Sequence, residues 1–191
     1  SLLYTLDGEY SPITHVSWSP DGTKIVTSSY VTKIWNAATG RLLFTINEIS
    51  RDVSWSPDGS KIVTASDVNS ATIWDVITGV SLHTMVGHTG RISHLSWSPD
   101  GSKIVTVSGD TTTKIWNATS GTLICTLPEI SNVVNTCWSP DGKKLVTTVY
   151  LVKSGPGSWT VDNKPKIWDT DSGVQLTTLV GHQDIVRHVA W

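Results

Sequence analysis

The 191-residue sequence is short of several things that whole classes of function require. It has two cysteines, Cys125 and Cys137, twelve positions apart and outside any Cys-x-x-Cys spacing, so neither a thiolate zinc knuckle nor a redox pair is indicated. A reducing, cytoplasmic setting is the expectation. No apolar run approaches the ~18 residues of a membrane span, and Ser1-Leu2-Leu3-Tyr4 lacks a charged flank before a long apolar stretch. No membrane partner is expected. Fourteen Lys and Arg stand against sixteen Asp and Glu, a formal net charge of −2, which leaves no surplus to displace counterions from a nucleic-acid backbone. No nucleic-acid partner is expected either. Catalytic signatures are missing: there is no His-Glu-x-x-His, phosphate-cradling Gly-Lys-Ser/Thr loop, Gly-x-Ser-x-Gly elbow or dinucleotide fingerprint. No segment carries helical periodicity. The one methionine is Met85 and position 1 is serine, so the chain is expected to be a piece of something longer.

Against one Phe and four Tyr stand ten Trp. Such a bias is tested by asking whether the rare residue recurs at a fixed interval. Trp18, Trp55, Trp97 and Trp138 each open the phrase Trp-Ser-Pro-Asp-Gly, and Trp191 closes the chain where a fifth copy would begin, at intervals of 37, 42, 41 and 53 residues. Trp35, Trp74, Trp116 and Trp168 each follow Ile and precede Asn36, Asp75, Asn117 or Asp169, with a Gly shortly after. Only Trp159 stands outside both series.

Turn chemistry parses each period. Proline with its preset φ, followed by Asp-Gly, reverses the chain tightly between two strands. After it come β-branched runs such as 24–27 and 61–64, too short for a helix. Next comes the Ile-Trp strand, closed by Thr39-Gly40, Thr78-Gly79, Ser120-Gly121 or Ser172-Gly173, and then a fourth strand (41–46, 81–86, 122–127, 174–179). Four short strands in about 40 residues indicate a small antiparallel sheet that must bury its faces against its neighbours.

These residues, with Gly87-His88, Gly181-His182, Trp74-Asp75 and Trp168-Asp169, resemble the WD-repeat β-propeller family over essentially the whole chain. The resemblance implies an all-β fold of four-stranded antiparallel blades in an incomplete ring. As one domain, 1–191 divides into a lone outer strand (1–6), four blades (7–46, 47–86, 87–127 and 128–179, the last with a 150–161 loop insertion) and the start of a fifth (180–191). The missing strands are expected from the rest of the chain or from another copy. The family's structural relay of His, Ser/Thr, Asp and Trp maps in full only onto the third repeat, as His88, Thr106 with Ser108 as rival, Asp110 and Trp116. Asp162 keeps the Asp position of the fourth repeat, but Pro128 and Glu129 stand where its Gly and His belong. The first has Gly8-Glu9 and no Asp, and in the second Asp67 is one place off. Asn47-Glu48-Ile49-Ser50 resembles Pro128-Glu129-Ile130-Ser131, while Val86-Gly87-His88 resembles Val180-Gly181-His182. That alternation suggests duplication of a two-repeat unit.

Candidate chemistry is thin. Asp21, Asp58, Asp100 and Asp141 sit in tight turns, where a carboxylate bonds local backbone rather than acting as a general acid. His15, His94 and His188 share one register, three before the first-strand Trp, with Asp52 and Asn135 completing the series. A metal ring would need ligands converging within about 2.0–2.2 Å of one ion, and neutral, hydrogen-bonded histidine is the plainer account. No metal or other cofactor is expected. Asn117-Ala118-Thr119 is a glycosylation sequon that matters only in a secreted chain.

What remains is recognition by surface loops. In the family, the connections before the first strand and between the second and third emerge on one face, which binds partners. Trp168 follows Trp138 by 30 positions, against 19 from Trp97 to Trp116, and the extra segment carries Lys153 and Trp159, a candidate partner anchor. Of four arginines, Arg51, Arg91 and Arg187 fall at the start of a first strand. A planar guanidinium fork suits carboxylate or phosphate, so the expected partner is a protein or peptide, acidic or phosphorylated. The expectation is a non-enzymatic interaction scaffold, with a regulatory or sensor repeat region of a large nucleotide-switch signalling protein as the other reading. Partner identity is not encoded, because one architecture hosts many functions.

Overall fold

Each Ser-Pro-Asp-Gly phrase builds its own turn. In the first, Ser19 Oγ donates to Asp21 Oδ1 (2.6 Å) and accepts from Lys24 N (2.9 Å), while Asp21 Oδ1 accepts from Thr23 N (3.0 Å) and Gly22 sits at φ +68°. The same set recurs at Ser56, Ser98 and Ser139. At the same end of each unit, where Ala37 N donates to Thr23 O (2.9 Å) and its counterparts do likewise, the Oδ1 of Asn36, Asp75, Asn117 or Asp169 accepts from the backbone N–H groups two and three residues on, an Asx turn closed by a positive-φ glycine.

A computed structural model describes residues 5–6, 12–127, 131–155, 158–161 and 164–191, with side chains at 131, 132, 134, 150–155 and 158–161 outside that description. Its strands form four antiparallel sheets. The first orders β1 (His15–Trp18), β2 (Lys24–Ser28), β3 (Thr32–Asn36) and β4 (Leu42–Ile46). The second holds β5 (Ser50–Trp55), β6 (Lys61–Ser66), β7 (Ala71–Asp75) and β8 (Ser81–Met85), and the third β9 (Ile92–Trp97), β10 (Lys103–Ser108), β11 (Thr113–Asn117) and β12 (Leu123–Leu127). The fourth runs β13 (Ser131–Trp138), β14 (Lys144–Gly155), β16 (Lys166–Asp169) and β17 (Gln175–Thr178), with β15 (Ser158–Val161) paired to the far half of β14. There is no helix among the described residues.

No sheet could stand alone, because its middle strands are apolar on both faces; the core therefore lies between sheets. Val26, Ile34 and Ile46 of the first meet Val53, Trp55 and Ile62 of the second. Ala71, Ile73 and Met85 meet Ile92, Leu95 and Trp97, and Val105, Ile115 and Leu127 meet Trp138, Leu145 and Trp168. Ile34, Ile62, Ile73 and Ile104 are wholly buried, each contributing about 1.5–3 kcal/mol relative to exposure. Truncating any of them to Ala would cost about 2–5 kcal/mol.

Every seam also carries a polar tie. The first-strand indole of one sheet donates to the residue before the corresponding Trp of the preceding sheet: Trp55 Nε1 to Ser17 O (3.3 Å), Trp97 Nε1 to Ser54 O (3.2 Å) and Trp138 Nε1 to Ser96 Oγ (3.1 Å). Trp18, whose sheet is the first among the described residues, is 59% exposed, against 7–8% for the other three. Trp191 extends the series, donating to Cys137 O (3.3 Å).

Two segments differ from expectation. Residues 150–161 were expected as a loop; instead β14 runs on to Gly155 and β15 returns as a hairpin, with Leu151 opposite Val161 and Lys153 opposite Trp159. The run 149–153, Val-Tyr-Leu-Val-Lys, is β-branched, aromatic or aliphatic but for its lysine and so has strand character. Residues 180–191, expected to begin a fifth blade, form no strand; among the described residues no second strand pairs with them. Residues 1–4 of the expected outer strand lie outside the described residues, while Leu6 packs on Ile25, Trp35 and Ala37 of the first sheet.

Candidate functional site

The third sheet contains a hydrogen-bonded chain of four side chains. Trp116 Nε1 donates to Thr106 Oγ1 (2.8 Å), Thr106 Oγ1 lies 2.7 Å from His88 Nε2, and His88 Nδ1 lies 2.9 Å from Asp110 Oδ2. One set of protons satisfies all of them: the indole N–H and the Thr106 O–H point along the chain, and a neutral His88 carries its proton on Nδ1 toward the carboxylate. Burial pushes His88 below its usual pKa against the pull of Asp110, in keeping with neutrality. Asp110 stays ionised well below the ordinary carboxylate range; burial opposes this, but hydrogen bonds from Thr112, the Thr89 N–H and His88 outweigh it. Ser108 is engaged elsewhere, donating to Gly90 O (2.8 Å). This chain clamps the strands to the preceding loop and exposes almost nothing, with His88 at 8% and Thr106 at 0%.

In the other sheets the indole–threonine pair persists without the histidine, as Trp35 to Thr27, Trp74 to Thr64 and Trp168 to Thr147, each at 2.9 Å. Gly8, Glu9, Pro128, Glu129 and Asp162 lie outside the described residues. Asp67, one place off the relay register, does other work.

Two of the three histidines in the series, His15 and His94, converge on one carboxylate. Asp52 is buried on β5 and accepts from Val53 N (3.0 Å) and from Leu95 N of the next sheet (2.9 Å). His15 Nε2 stands 3.5 Å from Asp52 Oδ1 and His94 Nδ1 3.2 Å from Oδ2, so the first strands of three sheets meet at this residue. His188 is exposed on the 179–191 segment. Among the described residues no three His, Cys, Asp or Glu side chains form a metal-holding group.

The turn aspartates serve the backbone. The Ser56 hydroxyl and the Ser60 N–H hold Asp58 at about 2, and Asp21 and Asp141 lie low for the same reason, each led by its own serine. A carboxylate ionised so firmly by local donors is a poor general acid near neutrality.

On the face carrying first-strand starts and second-to-third turns, two of the three predicted arginines come together. Arg51 Nε donates to Asp67 Oδ1 at 2.5 Å, and Arg91 Nε lies 3.9 Å from the same oxygen. The Arg51 hydrogen bond, aided by both cationic charges, draws Asp67 below its usual value. Two cations thus share one anion. Arg51 and Arg91 side chains are 44% and 55% exposed, and among the described residues nothing hydrogen-bonds their terminal nitrogens. Arg187 is exposed on the 179–191 segment and does not join them. Lys153 and Trp159 face one another in backbone register on the hairpin; their side chains lie outside the described residues.

Beside Arg51, at the seam of the first two sheets, opens a cavity of about 230 Å³ lined by Pro12, Tyr30, Ile49, Arg51 and Asp67 among others. Tyr30 and Ile49 are 67% and 43% exposed. Sequence reasoning passed over both, and over Asp67 as a shared counter-ion. A signal existed: Tyr30 and Asp67 occupy the second-to-third turn of consecutive repeats, where strand periodicity assigns no core role.

No curated protein matches the chain. A family model described as "WD domain, G-beta repeat" matches residues 1–36, 40–75 and 79–117, and WD40 repeats are generally non-catalytic scaffolds for protein–protein interaction. With more than half its length covered by that model, and with unclosed four-stranded sheets fastened seam to seam, the chain belongs to the WD40 repeat family.

Proposed function

We propose that this chain is a non-catalytic platform that holds an acidic or phosphorylated protein segment against the face bearing Arg51 and Arg91, with Lys153 and Trp159 on the hairpin and Arg187 as further contacts. The observation that carries this reading is the sharing of Asp67 by two guanidinia from neighbouring sheets. One carboxylate cannot satisfy two forks, so unspent donors remain for an incoming anion. Asp52 and the relay are enclosed and internally bonded, which leaves them as architecture.

The test is a fluorescein-labelled peptide of Glu and Gly, read by anisotropy at 50 and 300 mM salt, beside the same peptide with phosphoserine for Glu. Binding should weaken with salt and be lost in Arg51→Glu/Arg91→Glu. Absence of binding, or binding indifferent to the double reversal, overturns the proposal.

A further inference from the structure

The anionic reading leaves the cavity beside Arg51 unexplained. It sits where two sheets meet, with Pro12, Thr14, Ser29 and Tyr30 on one side and Ile49, Ser50, Arg51 and Asp67 on the other. Its size is decisive: about 230 Å³ is below the roughly 300–1,000 Å³ of small-molecule and cofactor sites, yet roomy for one large side chain. Its walls differ in kind. Tyr30 and Ile49 present ring and aliphatic surface, and both stay substantially exposed although neighbouring strands bury residues of their type almost completely. The Arg51 guanidinium forms the rim, tethered through Nε to Asp67, which leaves its Nη1 and Nη2 edge without a partner among the described residues. The nearest carboxylates in the chain are engaged elsewhere: Asp52 accepts from Val53 N and Leu95 N, and Glu48, half-buried, takes a hydrogen bond from Ser66, so neither fills the Arg51 edge.

We infer that this seam cavity seats a single apolar side chain, leucine- or phenylalanine-sized, of a bound peptide, while an acidic group next to it in the peptide is read by the free edge of Arg51. The inference rests on the anion-binding reading and deepens it from charge to a two-part motif. Charge complementarity selects the occupant: a purely apolar segment would leave the guanidinium edge unanswered, and a purely acidic one would leave the Tyr30–Ile49 wall wet. Carboxylate and phosphate share the fork chemistry, and the test separates them.

The probe is a set of ten-residue peptides of Glu and Gly in which one leucine is moved through the positions next to a Glu, compared with the parent lacking leucine. The best leucine peptide should bind the wild-type chain about tenfold tighter than the parent, as expected for partial burial of one such side chain. In Tyr30→Ser and in Ile49→Ser, both surface changes checked by unaltered thermal melts, that ratio should fall to about one. Replacing the neighbouring Glu by Gln should lower affinity, and phosphoserine in its place should restore or raise it if phosphate is the natural group; restoration by Glu alone identifies carboxylate. If every leucine peptide binds like the parent, or the gain survives both variants, the cavity inference is wrong while the anion-binding reading stands. If neither parent nor leucine peptides bind, that reading fails and the inference falls with it.

Discussion

Thr106→Val is the sharpest probe of how the third sheet holds together. The change is nearly isosteric and keeps the β-branch that suits a strand, so what it removes is a hydroxyl. That hydroxyl is the acceptor for Trp116 Nε1 at 2.8 Å and the partner of His88 Nε2 at 2.7 Å. Trp116 is 2% exposed and His88 8%, so neither orphaned group reaches water. Each buried unsatisfied group costs about 1–3 kcal/mol; two give roughly 2–4 kcal/mol after the gain from burying a methyl. At about 2–4 °C per kcal/mol for a chain of this size, the melting temperature should drop by roughly 5–15 °C. The companion variant is Thr64→Val in the second sheet. There the hydroxyl serves only a partly buried Trp74 indole at 2.9 Å and a long contact to Thr72 O, so about 1 kcal/mol and a few degrees are expected. Thermal melts followed by far-ultraviolet circular dichroism at pH 7.5 make the comparison. Equal shifts for the two variants, or a neutral Thr106→Val, would refute the claim that the histidine link adds to the tryptophan–threonine pair.

Two further outcomes follow from the same geometry. His88 has its pKa depressed by burial, so between the ordinary value near 6.5 and the lower folded one the unfolded chain binds more protons; stability should fall as pH drops below about 6.5. A second loss should set in below about 3.8 as Asp110 and the turn aspartates are forced to protonate, and urea midpoints at pH 8, 5.5 and 3 resolve both steps, the first of them missing from His88→Gln. Gly121→Ala should destabilise more than Gly22→Ala. Both positions lie near φ +70°, which costs an alanine about 1–2 kcal/mol, but a Cβ on Gly121 would meet His83 Cβ at 2.7 Å whereas one on Gly22 meets nothing within 4 Å, so the denaturation midpoints should separate.

Much of the fold was legible because the repeat writes its own punctuation. Each Ser-Pro-Asp-Gly phrase folds from bonds within six residues, and Ile-Trp-Asn or Ile-Trp-Asp marks the strand whose indole finds the threonine of its neighbour. Both signals are local, so no knowledge of the third dimension was needed to read them. The pairing of β14 with β15 departs from the expected loop because Gly-Pro-Gly in the sequence signals a turn, while the strand character of 149–153 beside it makes the flanks pair. The site was harder. Three arginines in similar register suggested one patch, but register along a strand says nothing about which carboxylate lies across a seam, and Asp67 gathers Arg51 and Arg91 while leaving Arg187 apart. Tyr30 and Ile49 carry no periodic signal at all: their meaning comes from the space between two units, which is a property of the pair.

The tie between neighbouring sheets has a consequence for how such a molecule can change in size. Each unit brings a plug, its indole nitrogen, and a socket, the backbone or hydroxyl oxygen one residue before its own plug. Adding or deleting a whole module therefore leaves every remaining joint intact, because the new neighbour always arrives with both halves of the fastening. A family assembled from such couplings is free to vary in length by copying, with novelty accumulating in the gaps and turns that the fastening does not use.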